Sequence, residues 1–163
     1  MKGSDATKLE KVIGDLLLEK KLTFGTAESC TGGLIAKRIT DIPGSSKYFL
    51  GSVVAYDNSI KEKVLEVKED TLAKYGAVSE ETALEMAHGV KKLLNADIAL
   101  ASTGIAGPGG GTESKPVGLV YISLVGQNIN ICNKYSFSGT RDEIRWRSAV
   151  CALNLLKRSL ETI

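Results

Sequence analysis

Ser29 draws attention through its neighbours. Residues 23–27 form a short run rich in β-formers, and Glu28-Ser29-Cys30-Thr31-Gly32-Gly33 follows directly. Leu34, Ile35 and Ile39 then fall at helical spacing. Ser29 is therefore expected at a strand-to-helix turn, with its hydroxyl above the end of a sheet. The N–H groups of Cys30, Thr31 and Gly32 would point outward at the helix start, where such groups bind a phosphate or stabilise an oxyanion. Gly32-Gly33 lets a ligand approach the backbone. The alternative is that Ser29 only caps the helix. The segment is not a G-x-S-x-G elbow, because Ala27 and Thr31 occupy the glycine places. Cys30 is a rival nucleophile, since a thiol at a helix start can have a lowered pKa; its alternative is a small buried apolar residue.

A serine nucleophile needs a group to accept its proton. The single histidine, His88, follows Ala87 in an ordinary helical pattern and reads equally as a surface residue. Lys61 is expected in the first turn of its own helix, where the dipole disfavours a cation and helps lower a lysine pKa. Acting as a base near neutrality requires a pKa about three pH units below the reference, at a cost of ~4 kcal/mol. Burial or a second cation, for which Arg145 is a candidate, could supply it. The alternative is a solvated helix charge.

Two further features suit an anionic ligand. Thr103-Gly104-Ile105-Ala106-Gly107-Pro108-Gly109-Gly110-Gly111 places five glycines within nine residues, directly after an apolar run. In α/β sheets, ligands bind beyond the carboxyl ends of strands. This loop is neither a Walker A sequence nor GxGxxG; a flexible surface loop is the alternative. Arg141 and Arg145 lie one helical turn apart and could fork onto a phosphate, or simply face solvent beside Asp142 and Glu143.

Composition narrows the field. The chain has 163 residues, room for one domain spanning 1–163. Apolar residues are 43% and charged residues 25%, ordinary for a globular protein. Lys plus Arg is 21 and Asp plus Glu 19, and a net charge of +2 argues against nucleic acid as partner. With one histidine, an HExxH site or a His-dominated zinc site is excluded. Cys30, Cys132 and Cys151 form no CxxC pair and suit a reducing compartment. Met1 to Lys8 is polar, unlike a signal peptide, and no apolar run reaches membrane-spanning length. A cytoplasmic protein without a membrane partner is expected.

The elements that must position these residues follow from periodicity. Helices are expected over 8–20, after Gly33, and around Lys61, the last with Asp57-Asn58-Ser59 as its cap. A short helix over 69–75 should stop at Gly76, and a longer one should start at Ser79 and bury Ala83, Met86, Ala87, Val90 and Leu94. Strands are expected at 23–27, 48–56, 98–102, 117–125 and 129–137, the last two joined as a hairpin at Gly126-Gln127-Asn128. Thr140-Arg141-Asp142-Glu143 matches a capping box. The helix after it should bury Trp146, Ala149, Val150, Leu153 and Leu160. Alternating helices and strands with a closing hairpin predict an α/β fold: a three-layer α/β/α sandwich around a mixed sheet of about five or six strands.

Seven motifs taken together resemble the C-terminal domain of the CinA family, in particular its stand-alone nicotinamide-nucleotide amidohydrolases. They are Thr26-Ala27-Glu28-Ser29-Cys30-Thr31-Gly32-Gly33-Leu34, Pro43-Gly44-Ser45-Ser46, and Val54-Ala55-Tyr56-Asp57-Asn58 through Lys61. Gly76-Ala77-Val78-Ser79-Glu80, Thr103 through Gly110, Lys115-Pro116-Val117-Gly118 and Phe137-Ser138-Gly139-Thr140-Arg141 complete the set, in order along nearly the whole chain.

The resemblance implies conversion of nicotinamide mononucleotide to nicotinate mononucleotide and ammonia, with no metal and no cofactor. It places Ser29 on the family's nucleophile, Lys61 on its general base, Thr103 and Gly104 on its substrate loop, and Arg145 in a motif facing the active site. Tyr56 would either orient Lys61 or stack on the substrate ring. It also implies the three-layer sandwich. Many members carry a further N-terminal domain that this sequence does not include, so activities of that domain are not expected. The partner implied is a small-molecule nucleotide, with monomer or homo-oligomer left open. A nucleotide-binding regulatory module without catalysis and a Cys30 thiol hydrolase are the competing readings.

Overall fold

The computed structural model describes residues 4–163; the first three residues of the polar opening segment lie outside them. The elements run α1 Ser4–Lys20, β1 Phe24–Glu28, α2 Leu34–Thr40, a 3-10 turn Ser45–Lys47, β2 Phe49–Val54, α3 Asn58–Leu65, α4 Glu69–Tyr75 and α5 Glu80–Leu94. They continue with β3 Ile98–Gly104, β4 Leu119–Gly126, β5 Ile129–Ser136 and α6 Arg141–Thr162.

The sheet has the order β2-β1-β3-β4-β5. β1 pairs parallel with β2 and β3, because helices carry the chain back between them. β4 is antiparallel to both β3 and β5. Gly126 pairs with Ile129, so the expected hairpin turn shortens to Gln127-Asn128, with Asn128 at φ 61°. Asparagine tolerates that left-handed conformation.

Each sheet face is covered by helices, giving the expected three layers. On one face, Ile13, Leu17, Ile35, Ile39, Leu153 and Leu156 of α1, α2 and α6 pack on Phe24, Leu100, Ile122 and Leu124. On the other, Leu65 of α3 and Met86, Ala87 and Val90 of α5 meet Ala27, Ala99, Ala101 and Val125. Large strand residues point to the three-helix side and alanines to the α5 side, following the pleat's two-residue period. The small side chains let α5 come close to the sheet. Caps start the helices where the side-chain chemistry predicts: Asp57 accepts from the Ser59 N–H, Ser79 from the Thr82 N–H, and Thr140 with Glu143 forms the full capping box.

Two expectations need correction. Thr103 and Gly104 are not loop residues; they extend β3 and pair with Tyr121 and Val120 of β4. Trp146 is not core: it is 41% exposed, and Val150 is only half-buried. At 3.6 residues per turn, Trp146 lies about 200° around α6 from Ile144, which heads the buried stripe Ile144, Ser148, Ala149, Ala152, Leu153 and Leu156. Instead the Trp146 ring carries the Arg38 guanidinium 4.4 Å from its centre, and Arg38 forms a buried ion pair with Glu10. Among the described residues, no helix is long and apolar enough to cross a membrane.

Helix α3 packs against α5 at Gly89, where an added Cβ would lie 1.9 Å from the Leu65 carbonyl oxygen. In an exposed helix, Gly→Ala stabilises by about 1 kcal/mol. Here the sign should reverse: Gly89→Ala should lower unfolding stability by about 1–3 kcal/mol through overpacking. Urea denaturation measures this, and a stabilised variant would contradict the close approach.

Candidate active site

Strands β2, β1 and β3 all end at the same sheet edge. The chain leaves β1 toward β2 on one side and later enters β3 on the other, which opens a crevice beyond the carboxyl ends of β1 and β3. Ser29 follows β1 there, and its N–H bonds the Ser102 carbonyl at 2.9 Å, continuing the ladder. Alternation turns Glu28 toward α2, so Ser29, one residue on, faces the α3 side.

Helix α3 brings Lys61 to it. Asp57 fixes the helix start, and Lys61 is the fourth helical residue, only 1% exposed. Its Nζ lies 3.2 Å from Ser29 Oγ, 2.9 Å from the Ala55 carbonyl and 3.4 Å from the Tyr56 carbonyl. An ammonium would spend all three protons on these oxygens. A neutral amine keeps its two N–H groups on the carbonyls and turns its lone pair to the Ser29 hydroxyl. Burial pushes the Lys61 pKa below its ordinary value, against the opposing pull of the Asp57 carboxylate. Burial, not a neighbouring cation, is thus the cause. Arg145, expected as that cation, instead donates from Nε to the Cys30 carbonyl at 3.2 Å and from Nη2 to the Thr31 carbonyl at 2.9 Å.

Ser29 is not a helix cap. Helix α2 starts only at Leu34, its N-cap is Gly33 at φ 94°, and no side chain of that residue caps it. Residues 29–33 form a turn closed by a 3.0 Å bond from the Gly32 N–H to the Ser29 carbonyl, with Gly32 at φ 58°. Only glycine takes two consecutive left-handed positions without strain. This bond removes Gly32 from the three N–H groups expected to point outward, leaving those of Cys30 and Thr31 to consider. The Thr31 side chain is fully buried, with its hydroxyl 2.7 Å from Ser102 Oγ.

Glu28 does the capping, a role the sequence reading missed. Its carboxylate is fully buried; Oε1 accepts from the Ile35 N–H at 2.9 Å and Thr31 Oγ1 at 2.7 Å, and Oε2 from the Ala36 N–H at 2.9 Å. A glutamate beside a serine carries no periodicity signal. The only clue was a helix start whose natural cap position held glycine.

The remaining candidates divide. Cys30 is 5% exposed, and burial pushes its thiol up to about 12, so it stays protonated and is a poor nucleophile. His88 is exposed and pairs with Asn130 Oδ1 at 2.7 Å, not with Ser29. The Thr103 hydroxyl is spent on the Ala77 carbonyl at 2.7 Å, and Gly104 allows close approach of the Leu119 carbonyl, 2.7 Å from where a Cβ would stand. The Tyr56 carbonyl accepts from Lys61 Nζ, while the 60% exposed side chain accepts from Arg141 Nη2 at 2.8 Å. Arg141 Nη1 reaches the Gly107 carbonyl at 2.7 Å. The two arginines expected to act as one fork therefore diverge: Arg145 grips the Ser29 turn, and Arg141 ties the glycine-rich loop to Tyr56. Among the described residues, no group of three or more His, Cys, Asp or Glu could hold a metal ion. A separate cavity of about 750 Å³, lined by Leu22, Asp97, Ile98 and Gln127 among others, opens at the opposite end of the sheet and contains neither Ser29 nor Lys61.

Residues 6–160 match the family model described as the CinA C-terminal domain. A CinA-like protein of Endomicrobium trichonymphae is 57% identical over 97% of this chain and 37% of its own length. A CinA-like protein of Thermotoga neapolitana is 52% identical over 98% of this chain and 39% of its own. The chain thus spans about two fifths of these relatives. Among solved structures, the competence/damage inducible protein CihA of Agrobacterium tumefaciens superposes with a TM-score of 0.93 at 40% identity, over 99% of this chain and 98% of that one. A CinA superfamily protein of Klebsiella pneumoniae gives 0.94 at 29% identity, over 98% and 100%.

With its thiol buried and protonated, Cys30 should resist iodoacetamide near pH 8 in the folded protein and react only after unfolding in urea. Peptide mass spectrometry distinguishes the two states. Rapid modification of Cys30 in the native protein would contradict this placement.

Proposed function

The chain belongs to the CinA C-terminal domain family, and from that premise we propose that it is an amidohydrolase releasing ammonia from nicotinamide mononucleotide and leaving nicotinate mononucleotide, with Ser29 as nucleophile and Lys61 as base. One observation carries the reading: a buried amine of lowered pKa, 3.2 Å from a serine hydroxyl at the carboxyl edge of the sheet. Burying an amine is costly, and amines with perturbed pKa values beside a hydroxyl in a crevice cluster at functional sites.

This reading gives a reaction in two stages. Neutral Lys61 takes the Ser29 proton as Oγ attacks the carboxamide carbon. The carbonyl oxygen becomes an oxyanion, which the N–H groups of Cys30 and Thr31 stabilise. Lys61, now an ammonium held by the Ala55 and Tyr56 carbonyls, returns its proton to the departing nitrogen, and ammonia leaves. A water molecule then gives a proton to Lys61 and attacks the acyl carbon; Lys61 returns that proton to Ser29 Oγ as the acyl–oxygen bond breaks, and the released acid loses its own proton to solvent as it becomes the carboxylate. No step requires a metal or a cofactor. The exposed Tyr56 ring offers a face to the pyridine, and the phosphate lies toward the glycine-rich loop and Arg141. The three free cysteines suit a reducing compartment such as the cytoplasm.

Purified protein should release ammonia from nicotinamide mononucleotide. Ser29→Ala and Lys61→Arg should each lower kcat by at least about 10³-fold, the latter because a guanidinium stays protonated. Affinity for the nucleotide without turnover would favour a regulatory binding module instead. Near-normal turnover by Ser29→Ala would overturn the nucleophile.

The pH dependence has a definite sign. Only neutral Lys61 accepts the proton, so kcat/KM should rise as pH climbs through its lowered pKa. Between that value and the ordinary 10.5, the unfolded chain holds a proton that the folded one has released. Raising the pH across this window should therefore stabilise the wild type relative to Lys61→Met. Denaturant unfolding across the pH range checks it, and an opposite slope would contradict the depressed pKa.

A further inference from the structure

We propose that Glu28 is the positioning residue for the Ser29 nucleophile, a role resting on the amidohydrolase reading above. The carboxylate is fully buried, and its partners are the Ile35 and Ala36 amides and the hydroxyls of Thr31, Ser52 (3.3 Å) and Thr26 (3.4 Å). None of them is cationic. A buried charge without a counter-ion is costly, and backbone amides at a helix start are among the few groups that compensate it.

The demand is for two acceptors. The Ile35 N–H bonds Oε1 and the Ala36 N–H bonds Oε2, so each oxygen takes one of the first free amides of α2. An amide side chain accepts at one end only, and aspartate is one methylene short. Glu28 is also the residue immediately before Ser29. It thereby joins the end of β1 to the start of α2 and holds both ends of the turn 29–33, whose two left-handed glycines provide little stiffness of their own. Arg145 grips the carbonyls of the same turn. Ser29 reaches Lys61 from a turn held by two side chains, and Glu28 is the one that fixes its origin.

The test uses Glu28→Gln, with Glu10→Gln as the control. Glu10 is another buried carboxylate, on α1, and pairs with Arg38 in the last turn of α2 without bonding any residue of the turn 29–33. Its loss should lower Tm and leave kcat within about threefold of wild type. Glu28→Gln should lower kcat by about 10²-fold with KM changed less than about threefold, since the nucleophile is displaced while the substrate contacts stay. Amide hydrogen exchange should accelerate at residues 29–33 in Glu28→Gln and not in Glu10→Gln.

Either unchanged kcat in Glu28→Gln or equal kcat losses in the two variants would overturn the proposal. The exchange measurement decides it independently of turnover: unaltered exchange at 29–33 in Glu28→Gln would overturn it even if the wild type released no ammonia. Absence of ammonia from the wild type would instead refute the parent reading.

Discussion

A lysine amine held out of water against a serine hydroxyl is the interaction around which this molecule is arranged. Lys61 Nζ has three oxygen neighbours: two backbone carbonyls and Ser29 Oγ. The carbonyls are fixed acceptors, so they decide where the remaining valence of the nitrogen points. Burial makes the charged form more costly and lowers the pKa of the amine. The pair would be a weak liability anywhere else in the fold; at the carboxyl end of β1 it stands where a ligand can reach it.

Several layers of packing serve that contact. Alanines on one sheet face and Gly89 on α5 bring α3 close enough for a long side chain to reach the strand end. Asp57 sets the start of α3, and with it the height of Lys61 along the helix. On the other partner's side, Ser29 sits in a turn of unusual backbone, held at its root by the Glu28 carboxylate and along its carbonyls by Arg145. The helix start next to Ser29 is thereby filled by the protein's own anion. The Ile35 and Ala36 amides of α2 are therefore taken by Glu28 and are not free for an anionic ligand.

Much of this was legible in the sequence, for local reasons. Caps at Asp57, Ser79 and Thr140 announce helix starts because a side-chain oxygen must satisfy nearby amides. Strand alternation and the single short hairpin define a mixed sheet. Ser29 and Lys61 were both identifiable as candidates, since each sits next to an element boundary, but their meeting across 32 positions depends on tertiary packing. Glu28 stayed hidden because its role arises from the return of α2 over the strand end. Trp146 misled because size suggests burial, whereas helical phase places it beside Arg38 at the surface. Thr103 and Gly104 looked like loop because glycine breaks strand patterns, yet β4 pairs with them and Gly104 admits the Leu119 carbonyl.

Direct observation of the Lys61 amine is the most searching measurement. With lysines labelled at Cε with ¹³C, and Lys61→Arg to assign the resonance, the titration of each amine can be followed by NMR. The account predicts that the Lys61 resonance titrates below the 10.5 of an ordinary lysine and that its midpoint moves in Ser29→Ala. A Lys61 resonance titrating at or above 10.5, indifferent to Ser29, would contradict it.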